Sequence, residues 1–442
     1  MKIAGHPIAA SAVLTAAFLA SSALSTGGAV AAGPNCGLKP CTNPVPQGSC
    51  QPSSSLTVLV KGTNVIAYVP KGSWGSGSTG IGVANVEGTS ITNTLVPTTS
   101  VVNSCASNPL TGKTVCTANN TDVYILTGTT IGAPLTSGGT GTVGFSGGSC
   151  TNCGVAMDAV HNKAVIGLSV GGVGGFQFLN LATSVFEPAF KSQSPVISED
   201  PLIDPSRNLL LSAAENNTYE IIDITNTAAP KFYENKGIAT SGEADSSGED
   251  CSTGIALAPF EFTSNVFLAD LTKATLTAGS PGTWTAPSQV QTLTEASLSA
   301  GASGIAVAQG THIGIVSGEF GGNTITAIKL PATSGSGIPA ILDWVTCAIP
   351  DFSNGFDPHT VTAYQSPNGA KDAIGLLANG TATSLAVVDL TKMLNPAIVP
   401  RTSGAGLGHA CASTTLPTTV VSFVPVPGAA SARKATAPER PK

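Results

Sequence analysis

The sequence predicts an all-β protein, a β-propeller of seven blades with about 50 residues in each blade. Three observations lead to this prediction. Charged residues make up only 10% of the 442-residue chain, while 51 glycines and 30 prolines supply the residues that turns require. Apolar residues make up 42%, which is enough to build a buried core. The third observation is a strand–turn–strand pattern that recurs along the chain at a nearly constant interval.

The N-terminus is typical of an exported protein. Lys2 is followed by an apolar stretch, residues 8–24, and then by small residues that suit cleavage near Ala31 or Ala32. No later stretch reaches the roughly eighteen apolar residues that a membrane helix needs. We therefore expect residues 1–32 to be a removed signal peptide and the protein to be secreted or periplasmic, with no integral membrane span. An uncleaved anchor is the alternative.

The ten cysteines, an even number, fit an oxidising compartment. Three of them lie in a Cys- and Pro-rich segment, residues 33–55. Cys105 and Cys116 flank a stretch of turn residues, so a cross-strand bridge between them is plausible. Cys150 and Cys153 form a CxxC pattern. In an exported chain we favour structural disulfides, within or beyond this pair, over a redox or zinc site.

The repeat is clearest in DPLIDPSRNLLLSAAENNTYEIIDITN, residues 200–226, which predicts three short strands joined by turns. Related segments begin at Cys153, Thr253, Ser303 and His359. The first apolar residues of these units are 47 to 56 residues apart, and a further step reaches Cys411. Counting back adds units near 56 and 102, so we predict seven, with the strand at 418–426 closing the ring against the first blade. Eight units, or six and an irregular hairpin, are the alternatives, and the long period disfavours a β-helix.

The strand–turn–strand pattern that ends in IDITN resembles the repeat of YVTN/NHL-type β-propellers, over residues 153–392. That family includes binding modules, lactonase-like hydrolases and lyases. The resemblance therefore implies the fold and leaves the function to the site. We place the propeller at 56–427 and expect the small, basic tail at 428–442 to be disordered.

Candidate functional residues precede the first strand of successive units, at a position where a propeller brings neighbouring blades together at one mouth of its channel. Charged residues are scarce in this chain, yet carboxylates occur at this position in three units and histidines in two. The candidate ligand-binding residues are Glu199, Asp200, Glu249, Asp250 and Asp357, and the candidate catalytic acid or base residues are His359 and His409. The candidate ligands of a divalent cation, such as calcium, are Asp250, Asp357, His359 and His409. A structural role in turns and at strand starts is the alternative for all of them.

Other groups carry weaker signals. His161 and His312 lie in predicted turns and are expected to be exposed. The G-x-S-x-G matches at 144–148 and 167–171 lack the helix that follows a nucleophile elbow. The acidic loop at 242–250 misses the spacing of an EF-hand.

The function that the sequence favours is binding. The net charge is −6 and no internal basic patch is present, so nucleic acid is not an expected partner. We predict a monomer that binds a small molecule or a partner protein at the channel mouth, with Trp74, Trp284 and Trp344 as a candidate contact rim. The alternatives are a lactonase-like hydrolase or lyase that uses a mouth-bound cation and a histidine, and a rigid platform for surface adhesion.

Overall fold

The computed structural model is a ring of seven β-sheets, which confirms the predicted seven-bladed propeller. It describes residues 56–422 with gaps at 74–75, 90, 119, 139–142, 146–147, 151, 171–172, 193–199, 215, 239–242, 245, 294–301, 319–323, 334, 336, 339–341, 349–355, 380–383, 402–407 and 412–417. The predicted signal peptide, Cys-rich segment and C-terminal tail lie outside the described residues, and so does Glu199.

The first three blades are antiparallel sheets whose strands follow one another in the chain. Blade 1 holds Thr57–Lys61, Asn64–Ser73, Ser76–Glu87 and Thr94–Val96. Blade 2 holds Val102–Asn108, Lys113–Ala118, Asp122–Thr127, Thr130–Ile131 and Leu135–Thr136. Blade 3 holds Asn152–Asp158, Lys163–Val170, Val173–Asn180, Val185–Phe186 and Phe190–Lys191, preceded by a hairpin of Val143–Phe145 and Gly148–Cys150.

The other four blades contain four of the five segments that carried the repeat, the fifth being in blade 3. Blade 4 holds Leu202–Asp204, Leu209–Ala214, Thr218–Asp223 and Lys231–Lys236. Blade 5 holds Glu243–Ala244, Gly248–Asp250, Ile255–Glu261, Asn265–Asp270 and Ser288–Thr292. Blade 6 holds Ala302–Ala308, Ile313–Gly318, Thr324–Lys329 and Trp344–Ala348, and blade 7 holds Phe356–Gln365, Ala373–Asn379, Ser384–Asp389 and Thr418–Ser422.

Helices are short. Leu271–Lys273 is a single 3₁₀ turn and Leu390–Met393 a single α-helical turn, and each is capped by the aspartate before it. Within the described residues, no helix is long and apolar enough to cross a membrane.

Side-chain packing between blades closes the ring. In the described part of the chain, seven clusters of buried residues each lie between two neighbouring blades. The cluster between blades 7 and 1 joins Leu56 and Val65 to Tyr364 and Leu376. The innermost strands of neighbouring blades also contact one another around the whole ring. Each blade therefore buries both of its faces, as the frequency of apolar residues in the strands requires.

The two ends of the ring differ in their backbone. Each inner strand turns back into the second strand of its blade at one end, which we call the hairpin face, and begins at the other end, which we call the start face. Shortly before the second strand, each turn has a residue with positive φ: Gly62, Gly112, Asn162, Asn208, Gly254, His312 and Lys371. Glycine and asparagine are frequent there because they adopt this left-handed conformation at the lowest cost.

The C-terminal strand differs from the prediction in its pairing. Thr418–Ser422 pairs with Ser384–Asp389 and is the fourth strand of blade 7, rather than a strand of the first blade. Blade 1 already has four strands of its own. Blade 7 has only three before this strand is added, so the open edge lies there.

The repeat step to Cys411 was also wrong. Gly408–Ala410 begins no blade, because it pairs in parallel with Trp344–Ala348 at the outer edge of blade 6. A disulfide between Cys347 and Cys411 fastens this added strand to the blade. The added strand covers a sheet edge that would otherwise be open to pairing with another chain.

Blade 4 also has an added outer edge. Its outer strand, Lys231–Lys236, pairs in parallel with Gly282–Thr285, which forms a hairpin with Thr275–Thr277. This hairpin comes from the part of the chain that belongs to blade 5. The two blades are therefore joined through a shared sheet as well as through side chains.

The tryptophans that the structure describes do not form a rim. Trp284 and Trp344 lie within strands, and their exposed fractions are 1% and 2%. The indole Nε1 of Trp284 donates a hydrogen bond to the carbonyl of Tyr219 at 2.8 Å. The prediction of an exposed contact rim is wrong for these two residues, because both fill space between blades. Trp74 lies outside the described residues.

Candidate functional site

Asp200 lies at the start face, as predicted, but it is buried. It precedes the inner strand of blade 4, and its exposed fraction is 1%. It forms an isolated parallel bridge with Ser246 of blade 5, and its carbonyl accepts a hydrogen bond from the backbone N–H of Ser247 at 3.1 Å. Ser246 in turn donates its hydroxyl to the carbonyl of Ser303 in blade 6 at 2.6 Å. These contacts join three neighbouring blades at the start face.

The two candidate histidines do not occupy equivalent positions. His359 and Asp357 lie near the beginning of the inner strand of blade 7, Phe356–Gln365, and therefore at the start face. His409 lies opposite Val345 in the strand added to the outer edge of blade 6. The expectation that both histidines precede inner strands is therefore wrong for His409, because its segment adds to a blade instead of opening one.

Glu249 and Asp250 lie at the hairpin face. The inner strand of blade 5 is Gly248–Asp250, and the apolar run Ile255–Glu261 is the second strand, not the first. The sequence assigned the first strand to the apolar run because SSGED, residues 246–250, is polar and has no alternating pattern. Asp250 therefore ends an inner strand. In blade 7, Val361 is four register positions, about 13 Å, from the end of the strand at Gln365, and His359 lies beyond Val361 toward the start face.

The aspartates at the hairpin face stabilise turns. Asp250 accepts a hydrogen bond from the N–H of Ser252 at 3.1 Å, and Asp204 accepts one from the N–H of Ser206 at 2.8 Å. Asp158 accepts one from the N–H of His161 at 3.0 Å in blade 3. A carboxylate that accepts from the backbone two or three residues later favours a turn. Asp250 therefore has a role in the turn of blade 5.

A buried ion cluster joins blades 4 and 5 at this face. Arg207 has a fully buried side chain, and its Nη1 donates to Asp204 Oδ2 at 2.6 Å. The same nitrogen donates to the carbonyl of Cys251 at 2.8 Å and lies 3.4 Å from Glu249 Oε1. Both carboxylates are also fully buried. The guanidinium of blade 4 is thus inserted among acceptors of blade 5.

Burial affects the protonation of Glu249. It raises the pKa of Glu249 well above its usual value, and the neighbouring negative charge of Asp204 adds to this effect, while Arg207 acts in the opposite direction. A buried carboxyl group in a low-dielectric site favours its neutral form.

This cluster is the one group within the described residues whose spacing resembles a metal site, but its donors do not fit a cation. Asp204, Glu249 and Cys251 offer ligand atoms within 4.8 Å of one another. Cys251 is in a disulfide and has no thiolate. Arg207 already supplies the positive charge, and calcium needs about six to eight oxygen ligands. We interpret the cluster as a structural link between blades.

Blade 6 contacts the same turn from the other side. His312 Nδ1 lies 2.6 Å from Asp250 Oδ2, and Gln309 accepts a hydrogen bond from the N–H of Cys251 at 3.1 Å. Gln309 also donates to the carbonyl of Glu249 at 2.5 Å. The side chain of His312 is 25% exposed. Its contact with Asp250 connects it to the turn of blade 5. Blades 4, 5 and 6 are tied together through one turn.

The sequence missed Arg207 and the partner of His312. Both residues have a partner in a neighbouring blade. Glu249 is 42 residues from Arg207 in the sequence, and Asp250 is 62 residues from His312. One local signal was present, since DAVHN (158–162) and DPSRN (204–208) share an aspartate at the first position and an asparagine at the last. That pattern identifies the turns. It does not show which residues of other blades the side chains within each turn contact.

The His312–Asp250 pair predicts a pH-dependent contribution to stability. The hydrogen bond to Asp250 raises the pKa of His312, although burial opposes this effect. Burial raises the pKa of Asp250. The hydrogen bonds from His312 and Ser252 and the positive charge of His312 outweigh burial, so the pKa of Asp250 lies below its usual value. The pair therefore stabilises the fold fully between the unfolded pKa values of aspartate and histidine, about 3.9 and 6.5. This contribution is lost as the pH rises through the folded pKa of His312.

We therefore expect His312→Asn to cost about 1 kcal/mol more at about pH 5.5 than at about pH 8.5. Asparagine is chosen because it tolerates the positive φ at this position. Urea unfolding of the variant and of the unchanged protein at both pH values measures the difference. An equal cost at the two values would show that the charge on the imidazole does not contribute.

Comparison with known proteins finds similar solved structures at low sequence identity. No family model and no curated protein matches the sequence. Among solved structures, a chain in the crystal structure of the mitotic checkpoint complex has a TM-score of 0.47 and 11% identity, over 75% of this chain and 86% of that chain. The Cps50 (Swd1) β-propeller domain of Myceliophteria thermophila has a TM-score of 0.47 and 10% identity, over 64% of this chain and 82% of that chain.

Proposed function

We propose that this protein is an exported β-propeller that binds a small molecule or a partner protein at the mouth of its channel on the start face. The proposal rests on one observation: the charged residues at the hairpin face, which is the other end of the ring, are buried between blades. At the hairpin face, Asp204, Arg207, Glu249 and Asp250 are fully buried and contact one another, His312 or the turn backbone. These groups hold blades together and are not accessible to a ligand. Asp200 is buried at the start face as well, so we place binding near the beginning of the inner strand of blade 7.

Two residues in the inner strand of blade 7 support a mouth site at the start face. Asp357 and His359 both lie near the beginning of the inner strand Phe356–Gln365. An aspartate and a histidine near the start of an inner strand suit a ligand with hydrogen-bonding groups. The low overall charge of the chain favours a neutral or weakly charged ligand over a strongly charged one.

Export is part of the proposal. The structure has two disulfides within its described residues, Cys105–Cys116 and Cys347–Cys411, and disulfides persist in oxidising compartments. The pairing of Cys105 with Cys116 is the one suggested by the turn residues between them. Together with the signal-like segment at 1–32, these bonds support a secreted or periplasmic location. We also propose that the protein is related to the YVTN/NHL propellers.

The hydrolase or lyase alternative ranks below binding. It requires a cation at the mouth, and of the four residues considered for it only Asp357 and His359 lie near the start of one inner strand. Asp250 lies at the hairpin face and His409 at the outer edge of blade 6. Calcium at the mouth therefore stays a prediction that would need further oxygen ligands.

A fragment screen by crystallography tests the proposal. Crystals of the protein are soaked with a library of small polar and aromatic fragments, and their positions are compared between the two faces. We expect fragments to concentrate at the start face, and His359→Ala to weaken the best of them in solution. The matched control is His161→Ala, at the hairpin face, which should leave the same fragment unaffected. Fragments that concentrate at the hairpin face, or bind both variants equally, would contradict the proposal.

A further inference from the structure

Cys251 is a buried cysteine in a disulfide, and its partner is none of the four cysteines in the bonds Cys105–Cys116 and Cys347–Cys411. It is the first residue of the turn that follows the inner strand Gly248–Asp250, and its exposed fraction is 1%. Its Sγ lies 3.7 Å from Glu249 Oε2, beside the buried cluster of Arg207. Cys251 is in a disulfide. The bond therefore reaches the hairpin face at the point where blades 4, 5 and 6 meet.

The cysteine inventory leaves five possible partners. Cys105 is bonded to Cys116, and Cys347 is bonded to Cys411. The remaining cysteines of the sequence are Cys36, Cys41, Cys50, Cys150 and Cys153. The first three belong to the Cys-rich segment at 33–55, and the other two belong to blade 3 and the hairpin before it.

The register of blade 3 excludes Cys153. Asp158 ends the inner strand Asn152–Asp158 and stabilises its turn, as Asp250 does in blade 5, so both aspartates mark the hairpin face. Cys153 comes before Val155, which is three register positions from Asp158, so Cys153 lies more than about 10 Å from that face. A disulfide requires Cα atoms no more than about 7 Å apart. Cys153 is therefore too far from Cys251 to be its partner.

The same argument excludes Cys150. Asn152 lies opposite Leu168, five positions from Lys163, and so is about 16 Å from the hairpin face. Cys150 is two residues earlier, and two residues span at most about 7 Å. Its distance from the hairpin face is therefore at least about 9 Å, which also exceeds the limit for a disulfide.

We propose that Cys251 is bonded to one of Cys36, Cys41 and Cys50, so that the segment at 33–55 is a strap fastened to the hairpin face. Bond formation removes two protons and two electrons from the two thiols. A disulfide oxidant of the export compartment accepts them by thiol–disulfide exchange and becomes a dithiol. The proposal does not depend on ligand binding, because it rests only on the register and on the cysteine inventory.

The length of the strap fits this attachment. Leu56 precedes the inner strand Thr57–Lys61 and so lies at the start face, whereas Cys251 lies at the hairpin face. A bond to Cys251 requires the chain before Leu56 to span the height of the ring, about 17 Å for five residues of strand, and also its width, because blades 1 and 5 lie on nearly opposite sides of the ring. The six residues from Cys50 to Leu56 reach about 20 Å when extended, and the chain from Cys41 or Cys36 reaches further. The length of the chain therefore favours Cys41 or Cys36 over Cys50 as the partner of Cys251.

Peptide mapping under non-reducing conditions tests the strap. In the full-length chain, trypsin releases peptide 237–273, in which Cys251 is the only cysteine, and an N-terminal peptide that ends at Lys61 and holds Cys36, Cys41 and Cys50. Peptide 114–163 holds Cys150 and Cys153, and also Cys116, through which it stays linked to the peptide that contains Cys105. After free thiols are alkylated at acidic pH, we expect peptide 237–273 to be linked to the N-terminal peptide and to be released by reduction.

Three results would overturn the proposal. Peptide 237–273 would be alkylated without reduction, or it would be linked to peptide 114–163, or its link to the N-terminal peptide would occur only in disulfide-bonded dimers. The variants Cys36→Ser, Cys41→Ser and Cys50→Ser then identify the partner, because one of them should make Cys251 fully available for alkylation. The link between Cys105 and Cys116 is the internal control, and it should persist in all three variants.

Discussion

Arg207→Met is expected to lower the free energy of unfolding by about 3 to 5 kcal/mol, because it leaves a buried carboxylate without its cation. Methionine keeps the apolar stem of the side chain and removes the guanidinium. Asp204, which accepts from Arg207 at 2.6 Å, is fully buried and would face the carboxyl group of Glu249 with no positive charge between them. The midpoint and slope of urea unfolding measure this cost.

A matched control separates the cluster from a general effect of charge. Lys231 lies 3.9 Å from Asp223 and is 62% exposed, so Lys231→Met should change stability by no more than about 0.5 kcal/mol. Combining Arg207→Met with Glu249→Gln and Asp204→Asn should cost less than the three single changes together, because the unpaired buried charge is removed. If Arg207→Met costs no more than Lys231→Met, the cluster does not hold blades 4 and 5 together.

Trp284→Ala is expected to cost about 3 to 5 kcal/mol, since it empties a buried position between blades. Trp284 lies opposite Leu276 in the hairpin that extends blade 4. Its ring lies edge-on to Tyr219, with centroids 5.8 Å apart, and also contacts Phe267 of blade 5 at 6.5 Å. Loss of the indole should release the hairpin, and hydrogen exchange in Lys231–Lys236 should become faster.

Two further variants refine this result. Trp284→Phe keeps most of the aromatic volume and removes the hydrogen bond to the Tyr219 carbonyl, so it should cost less, about 1 to 3 kcal/mol. Leu110→Ala, at a turn position that is 59% exposed, should have little effect. Unchanged exchange in Lys231–Lys236 after Trp284→Ala would show that the hairpin is held by its backbone pairing alone.

The fold was predictable because its signals are local and repeated. The alternation of apolar residues and the turn pattern of DPSRN (204–208) depend on neighbours only a few residues away. Backbone hydrogen bonding then produces similar turns in blades 3 and 4, through the pairs formed by Asp158 with His161 and by Asp204 with Ser206. The period of about 50 residues predicted seven blades, although the same step also led to Cys411, which begins no blade.

The errors occurred where the local signal was weak or misleading. SSGED (246–250) has no apolar alternation, so the inner strand of blade 5 was assigned one strand too late. The segment around His409 has the composition of a strand start, but it pairs with an outer edge that only the folded blade 6 offers. Both errors placed candidate residues at the wrong position, because register determines which end of the ring a residue occupies.

The sequence by itself determined the fold class, the number of blades and the turns with a left-handed residue, since each depends on periodicity and on backbone preferences over a few residues. Only the tertiary structure decided which charges meet. Arg207 reaches Glu249, and His312 reaches Asp250, across the boundary between two blades. The physical reason is that a buried charge requires a partner of opposite sign or a hydrogen-bonding group nearby. In a closed ring the neighbouring blade, rather than the neighbouring residue, supplies that partner.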